Sequence, residues 1–112
     1  LATSAAAAVQ ATDLLTDLGL HTVDWVEARA YMLGDPSSPF SAMLAVDTDE
    51  PHGDWLFDAG LALGALRERA LIVLLDGARL PAGLPEGRAL QYDPAIPGAE
   101  AAVAAALKRG RA

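Results

Sequence analysis

Two acidic side chains stand near the start of an apolar segment in the middle of the chain. Asp54 and Asp58 are four residues apart in the stretch PHGDWLFDAGLALGAL (residues 51–66), so on a helix they would share one face. Asp54 is suited to capping that helix, because a carboxylate is stabilised at the positive end of the helix dipole. Asp58 lies one turn further in, where a neutral acid donates a proton and an ionised one stabilises a developing positive charge. Asp58 is therefore the candidate catalytic residue.

Both tryptophans are candidates for contact with a flat ligand. Trp25 is predicted at the carboxyl end of a strand, and Trp55 at the start of the helix that carries Asp58. An aromatic ring at a cleft can stack on a base or on nicotinamide, whereas most tryptophans belong to a core or a pocket wall. The sequence leaves both interpretations open.

The common motifs for metals and nucleotides are absent from the sequence. It contains no cysteine, no Walker loop, no glycine-rich dinucleotide fingerprint and no nucleophile elbow. His52 borders an acidic stretch that includes Asp47, Asp49 and Glu50. A site for a hard cation usually shows alternating carboxylates, so a solvated loop is the better interpretation. We expect no metal ligand and no resident cofactor.

Charge and composition narrow the class of partner. The chain has 112 residues, of which 53% are hydrophobic, and a formal net charge of -7. Nucleic-acid binders usually carry a basic stripe, and the basic cluster at residues 108–111 is ordinary for a helix C-terminus. No apolar run approaches the length of about 20 residues that spans a bilayer. We expect a single cytoplasmic domain over residues 1–112 that binds neither nucleic acid nor membrane.

The elements that must position these residues alternate between strands and helices. Helices are predicted at residues 5–18, 55–67 and 98–109, and strands at residues 20–25, 43–47, 70–75 and 89–92. Residues 26–39 are predicted to form a long loop. The unbroken apolar stretch ALIVLL at 70–75 is typical of a central parallel strand covered on both faces. The first residues resemble the end of a strand whose beginning is missing, followed by Ser4 as a helix cap.

This order predicts an α/β domain, a three-layer sandwich with a roughly five-stranded parallel sheet. Ligands of such sheets bind beyond the carboxyl ends of the strands. The Thr3–Ser4 loop, Trp25 and the start of the helix at 55–67 are therefore expected to meet at one cleft. One link fits poorly, because a parallel crossover takes about a dozen residues and almost no room lies between Pro39 and the strand at 43–47.

A longer run of residues carries a family resemblance. The run PHGDWLFDAGLALGALRERALIVLLDGARLP (residues 51–81) resembles the helix-and-strand signature of the TIR-like predicted nucleotide-binding proteins of bacteria. Phe57-Asp58-Ala59-Gly60 takes the place of that family's Phe-Glu-Leu-Gly. The further matching positions are Gly64, Leu80-Pro81, Val23-Asp24-Trp25 with Leu33-Gly34-Asp35, and Tyr92-Asp93.

The resemblance implies a flavodoxin-like, TIR-like fold and cleavage of the nicotinamide–ribose bond of NAD+, which is then a substrate and not a cofactor. It maps the family's catalytic Glu onto Asp58. It maps the family's nucleotide-contacting first loop onto Thr3 and Ser4. With the residues considered above, the candidate substrate-binding residues are Thr3, Ser4, Trp25, Asp54 and Trp55. It also implies a role in anti-phage defence, with homo-oligomers formed through TIR–TIR contacts and activated by a sensor domain or partner.

Two other functions stay open. Asp58 is one methylene shorter than the family's Glu, and the first loop lacks the usual glycine. These departures favour a non-catalytic TIR-like scaffold that binds a nucleotide or another protein. A nucleoside deoxyribosyltransferase-like enzyme would use a similar sheet, with Asp58 as a carboxylate nucleophile.

Overall fold

A computed structural model describes residues 1–23, 25–34, 41–49 and 51–111, with the backbone alone at 30–34 and 109–111. Its elements, in chain order, are α1 (Ala5–Asp17), α2 (Trp25–Gly34), β1 (Ala42–Val46), α3 (Gly53–Leu66), β2 (Ala70–Leu75), β3 (Ala89–Tyr92) and α4 (Ala99–Arg111). Short 3-10 turns lead into β2 and β3. Among the described residues, no helix is long and apolar enough to cross a membrane.

The strands form one parallel sheet in the order β1-β2-β3. Ala42 pairs with Ala70, and Ile72 pairs with Ala89. On the other side of β1 the first residues of the chain add one parallel bridge, between Ala2 and Ala45. Because every pairing is parallel, the residues that follow each strand gather at the same side of the sheet, here called the carboxyl edge.

Side chains of the sheet alternate between two cores. The core under α3 contains Leu44, Val46, Ile72 and Leu74. The core under α1 and α4 contains Met43, Ala45, Val73, Leu75 and Tyr92. Helices therefore cover both faces, and the predictions of an α/β domain and of a central strand at 70–75 are confirmed.

Two residues, Ser4 and Gly19, determine where helix α1 begins and ends. Ser4 has an extended backbone, and its Oγ accepts a hydrogen bond from the backbone N–H of Ala7 at 3.1 Å. At the other end Gly19 has φ of 75°, and its N–H donates to the carbonyl of Thr16 at 2.9 Å. The N–H of Leu20 returns to the carbonyl of Leu15 at 2.9 Å, which completes a Schellman motif. The predicted helix at 5–18 is confirmed.

The predicted strand at residues 20–25 is wrong. Residues 20–23 have no regular structure and are exposed, and α2 begins at Trp25; Asp24 lies outside the described residues. Alternation of apolar and polar residues indicates a strand only where one face is buried against a partner. The predicted loop at 26–39 is also wrong over 26–34, which belongs to α2, whereas 35–40 lie outside the described residues.

The course of the chain around the sheet removes the difficulty with the crossover. α1 packs in one core, whereas Trp25 at the start of α2 packs against the other. The chain therefore changes from one face of the sheet to the other between Leu18 and Trp25. The parallel connection from the first residues to β1 contains α1 and α2, so it has ample length.

The sheet is smaller than predicted. The described residues form a sheet of three strands, plus the bridge at Ala2, in place of roughly five strands. The strands at 43–47, 70–75 and 89–92 and the helix at 98–109 are confirmed within a residue or two. The missing member is the strand at 20–25, for which the described structure offers no pairing.

Candidate functional site

A buried cluster of two hydroxyls and one carboxylate lies at the carboxyl edge. The hydroxyl–carboxylate cluster consists of Thr3, Ser4 and Asp47, which directly follows β1. Thr3 Oγ1 donates to Asp47 Oδ1 at 3.0 Å and accepts from the Asp47 backbone N–H at 3.1 Å. Ser4 Oγ donates to Asp47 Oδ2. Thr3 and Asp47 are only 7% and 9% exposed, so the first residues of the chain are fastened to the end of β1.

The environment of Asp47 favours its ionised form. Burial alone would raise the pKa of the carboxyl group, because desolvation penalises charge. Hydrogen bonds from the Ser4 hydroxyl, the Asp49 backbone N–H and the Thr3 hydroxyl outweigh that effect and bring the pKa below its ordinary value. Asp47 is therefore an acceptor that orients the two hydroxyls, and it is poorly suited to donating a proton.

The remainder of the carboxyl edge is also acidic. Asp76 directly follows β2, and its Oδ2 accepts from Gln10 Nε2 on α1 at 3.1 Å. Asp93 follows β3, and its Oδ1 accepts from the Ala95 backbone N–H at 2.9 Å. Among the described residues no group of three or more Asp, Glu, His or Cys side chains is arranged to hold a metal ion.

Asp58 lies on a flank of α3 that faces α2. Trp55 and Ala59 on the same helix are buried in the core, and a helical step turns Asp58 aside from that face. Its Oδ1 lies 3.4 Å from Arg29 Nη1. The side chain of Asp58 is 18% exposed, and that of Arg29 is 44% exposed. The carboxylate is thus half-buried, charged and open to solvent on one side.

Asp54 does not cap α3 as predicted. The helix starts at Gly53, and the capping position belongs to His52, which makes no side-chain capping bond. The carbonyl of His52 accepts from the Leu56 backbone N–H at 3.1 Å. Asp54 is exposed in the first turn, where its charge still interacts favourably with the helix dipole.

The two tryptophans are held in the same core. Trp55 is 6% exposed and packs under α3, while Trp25 is partly buried against that core from the start of α2. Within the described part of the chain, neither indole N–H has a hydrogen-bond partner. Trp55 therefore packs as a core residue, whereas Trp25 also reaches a cavity.

That cavity has a volume of about 950 Å³ and lies along the open edge of the sheet. Its walls come from α1, residues 20–23, the start of β1 and the C-terminal part of α4, and they include Ser4 and Trp25. Asp58 is not among the described residues that line it. The structure therefore brings Thr3 and Ser4 together at Asp47. Ser4 and Trp25 both line the cavity, and Asp58 belongs to neither group.

Two residues of these sites were not singled out from the sequence. Asp47 had a signal, since an aspartate directly follows each strand, at positions 47, 76 and 93. Arg29 had none, because its segment was predicted to be a loop and its partner is 29 residues away.

Comparison of the chain with protein-family models, with curated proteins and with solved structures gives no match. The function must therefore be argued from the site itself. A fold alone would not decide it, since one α/β architecture supports many activities.

Proposed function

We propose that the chain is a TIR-like domain with a flavodoxin-like fold that binds a nucleotide and cleaves the nicotinamide–ribose bond of NAD+ in the cytoplasm. The parallel sheet between two helical layers supports the fold, and the resemblance over residues 51–81 supports the family. The observation that carries the activity is the half-buried carboxylate of Asp58, 18% exposed and 3.4 Å from a guanidinium.

The chemical step requires a negative charge beside the ribose. The bond between C1′ and the nicotinamide nitrogen breaks, and its electron pair leaves with nicotinamide, which becomes neutral. The ribose passes through an oxocarbenium-like state, and water then adds to C1′ and loses a proton to give ADP-ribose. The Asp58 carboxylate stabilises the positive ribose and accepts hydrogen bonds from its hydroxyls. NAD+ is the substrate in this scheme, and no resident cofactor takes part.

The carboxyl edge supplies the rest of the proposed nucleotide site. The hydroxyl–carboxylate cluster fixes the Thr3–Ser4 loop at the N-terminus of α1, where the positive end of the helix dipole favours an anionic group. Trp25 offers an aromatic wall of the cavity that Ser4 also lines. Asp54 and Trp55 belong to the first turn of α3 that leads to Asp58.

Self-assembly is part of the proposal, and exposed apolar side chains support it. Val26 on α2 is 74% exposed and Phe57 on α3 is 63% exposed. Phe57 is adjacent to Asp58 in the sequence, and Val26 is three residues before Arg29. Contacts between copies at this surface would involve α2 and α3, the two helices that position Asp58. A sensor domain or partner in anti-phage defence would then act by bringing copies together.

The contact with Arg29 also favours the second candidate, a non-catalytic scaffold that binds a nucleotide. A carboxylate already engaged by a guanidinium must change partner before it can reach a ribose. It is also one methylene shorter than the Glu of the family it resembles, and a small displacement of a catalytic group is costly in rate. Tight binding of NAD+ without product formation would select this candidate.

The deciding experiment measures hydrolysis of a fluorogenic NAD+ analogue by protein assembled on a multivalent support. We expect Asp58→Ala to lower turnover by roughly 100-fold or more, because a group aimed at developing charge is lost. Asp58→Glu should raise turnover by restoring the longer acid. Asp13→Ala, at an exposed position of α1, removes the same charge elsewhere and should leave turnover unchanged. Turnover that survives Asp58→Ala would refute the mechanism.

A further inference from the structure

The cavity along the open edge of the sheet has a lining unlike the rest of the molecule. The chain carries 15 acidic against 8 Lys and Arg residues, yet no Asp or Glu is among the described residues that line this cavity. Its walls are mostly apolar and include Leu15, Leu18, Met43 and Leu107. Such a combination of large volume and apolar walls is typical of a small-molecule site.

The polar side chains among the described lining residues include a cation, Lys108, and no carboxylate. Lys108 and His21 are exposed residues of the lining, so they stand at its solvent side, and Lys108 is a full positive charge. Deeper in the lining, Ser41 Oγ and Trp25 Nε1 are buried without a hydrogen-bond partner in the described structure. A cationic mouth on an apolar chamber, in a protein with a net charge of -7, selects by charge for an anionic head followed by an apolar tail.

The course of the chain explains why the chamber stays open. Residues 20–23 have no regular structure, and among the described residues no strand pairs with the sheet beyond Ala2. When an apolar group covers the apolar walls of the cavity, the free energy of the system falls, because apolar surface is removed from water. α1 and α4, which supply part of the lining, are joined to the sheet through their own core.

We propose that this cavity binds a single-chain anionic amphiphile such as a medium-chain fatty acid, with the carboxylate at Lys108 and His21 and the tail along α1 and α4. The cavity shares Ser4 and Trp25 with the proposed nucleotide site, whereas Asp58 is not among the described residues that line it. The inference therefore does not depend on the activity proposed for that residue.

A chain-length series provides the first test. Octanoate, decanoate and dodecanoate are titrated by isothermal calorimetry, and affinity should rise about 15-fold for each pair of added methylenes, since each buried methylene contributes roughly a factor of four. Dodecyltrimethylammonium, with the same tail and a cationic head, should bind more weakly than dodecanoate. An affinity that is independent of tail length, or equal for the two heads, would overturn the proposal.

Matched variants on α4 provide the second test. Ala104 lines the cavity, whereas Ala101 is exposed on the same helix. Ala104→Leu should weaken dodecanoate binding at least tenfold by occupying the chamber, while Ala101→Leu, which adds the same atoms outside it, should not change binding. Unfolding curves of both variants report whether the fold is kept, and equal affinities in two folded variants would contradict the proposal.

The head group and the occupant are tested separately. Lys108→Ala should weaken dodecanoate about threefold, as expected for an exposed ion pair, and leave dodecanol binding unchanged, whereas Arg79→Ala should affect neither. Light scattering of ligand-free protein tests whether a second copy fills the chamber instead. A dimer that Ala104→Leu dissociates would assign the cavity to a protein–protein contact and overturn the proposal.

Discussion

Two charged aspartates of this molecule are held in opposite ways. Asp47 is 9% exposed and accepts hydrogen bonds from two hydroxyls and a backbone N–H. Among the described residues, Asp58 is paired with Arg29 alone, at 3.4 Å across a partly exposed contact between α2 and α3. A buried carboxylate that accepts three hydrogen bonds has a structural role, because exchanging its partners is costly. A carboxylate with one long contact is free to exchange its partner for a substrate.

Replacing Asp47 by alanine should therefore cause the largest loss of stability at these two sites. Asp47→Ala leaves the Thr3 and Ser4 hydroxyls and the Asp49 N–H without their acceptor, at a cost of about 3 kcal/mol in the free energy of unfolding. Urea unfolding monitored by circular dichroism measures this change. Asp49→Ala, at an exposed neighbouring position, should stay within about 0.5 kcal/mol of the parent. Equal losses for the two variants would contradict the structural role of Asp47.

The contribution of Asp47 to stability should depend on pH. The pKa of Asp47 is lowered from its ordinary value of 3.8, so the unfolded chain binds the proton at this residue more readily than the folded protein. The stabilisation from Asp47 is therefore fully present above pH 3.8 and is lost as pH falls below that value. The difference in stability between the parent and Asp47→Asn should shrink as acid is added. A difference that is constant from neutral pH down to about pH 2 would rule out this linkage.

The Arg29–Asp58 pair should contribute least to stability. A double-mutant cycle with Arg29→Ala and Asp58→Ala should give a coupling of less than about 1 kcal/mol, since the Arg29 side chain is 44% exposed and solvent screens the pair. Raising the salt concentration should reduce the coupling further. A coupling of several kcal/mol would make Asp58 as firmly held as Asp47 and would remove the basis for a change of partner.

Much of the fold could be predicted because its signals are local. Ser4 and Gly19 mark the ends of α1 through capping chemistry that involves only neighbouring residues. The apolar run at 70–75 indicates a strand covered on both faces, and β2 is such a strand. These predictions needed no knowledge of distant parts of the chain.

The errors arose where a distant partner decides the outcome. Residues 20–25 alternate in the manner of a strand, yet an edge strand forms only if it finds a neighbour, and residues 20–23 have no regular structure. Because of this error, helix α2 was not predicted, and Arg29 was not recognised as a residue of the site. In the candidate site, the Thr3–Ser4 loop was predicted correctly as part of the carboxyl edge, whereas its contact with Asp47 depends on the parallel bridge between Ala2 and Ala45.

The most direct test of the central claim is the release of nicotinamide from NAD+ by assembled wild-type protein and by Asp58→Asn, followed by chromatography. Asparagine keeps the size of the side chain and removes its charge. We predict nicotinamide and ADP-ribose from the wild type, at least roughly 100-fold less from Asp58→Asn, and similar binding of NAD+ by both in calorimetry. Equal turnover by the two proteins, or binding by the wild type without any product, would contradict the catalytic role of Asp58.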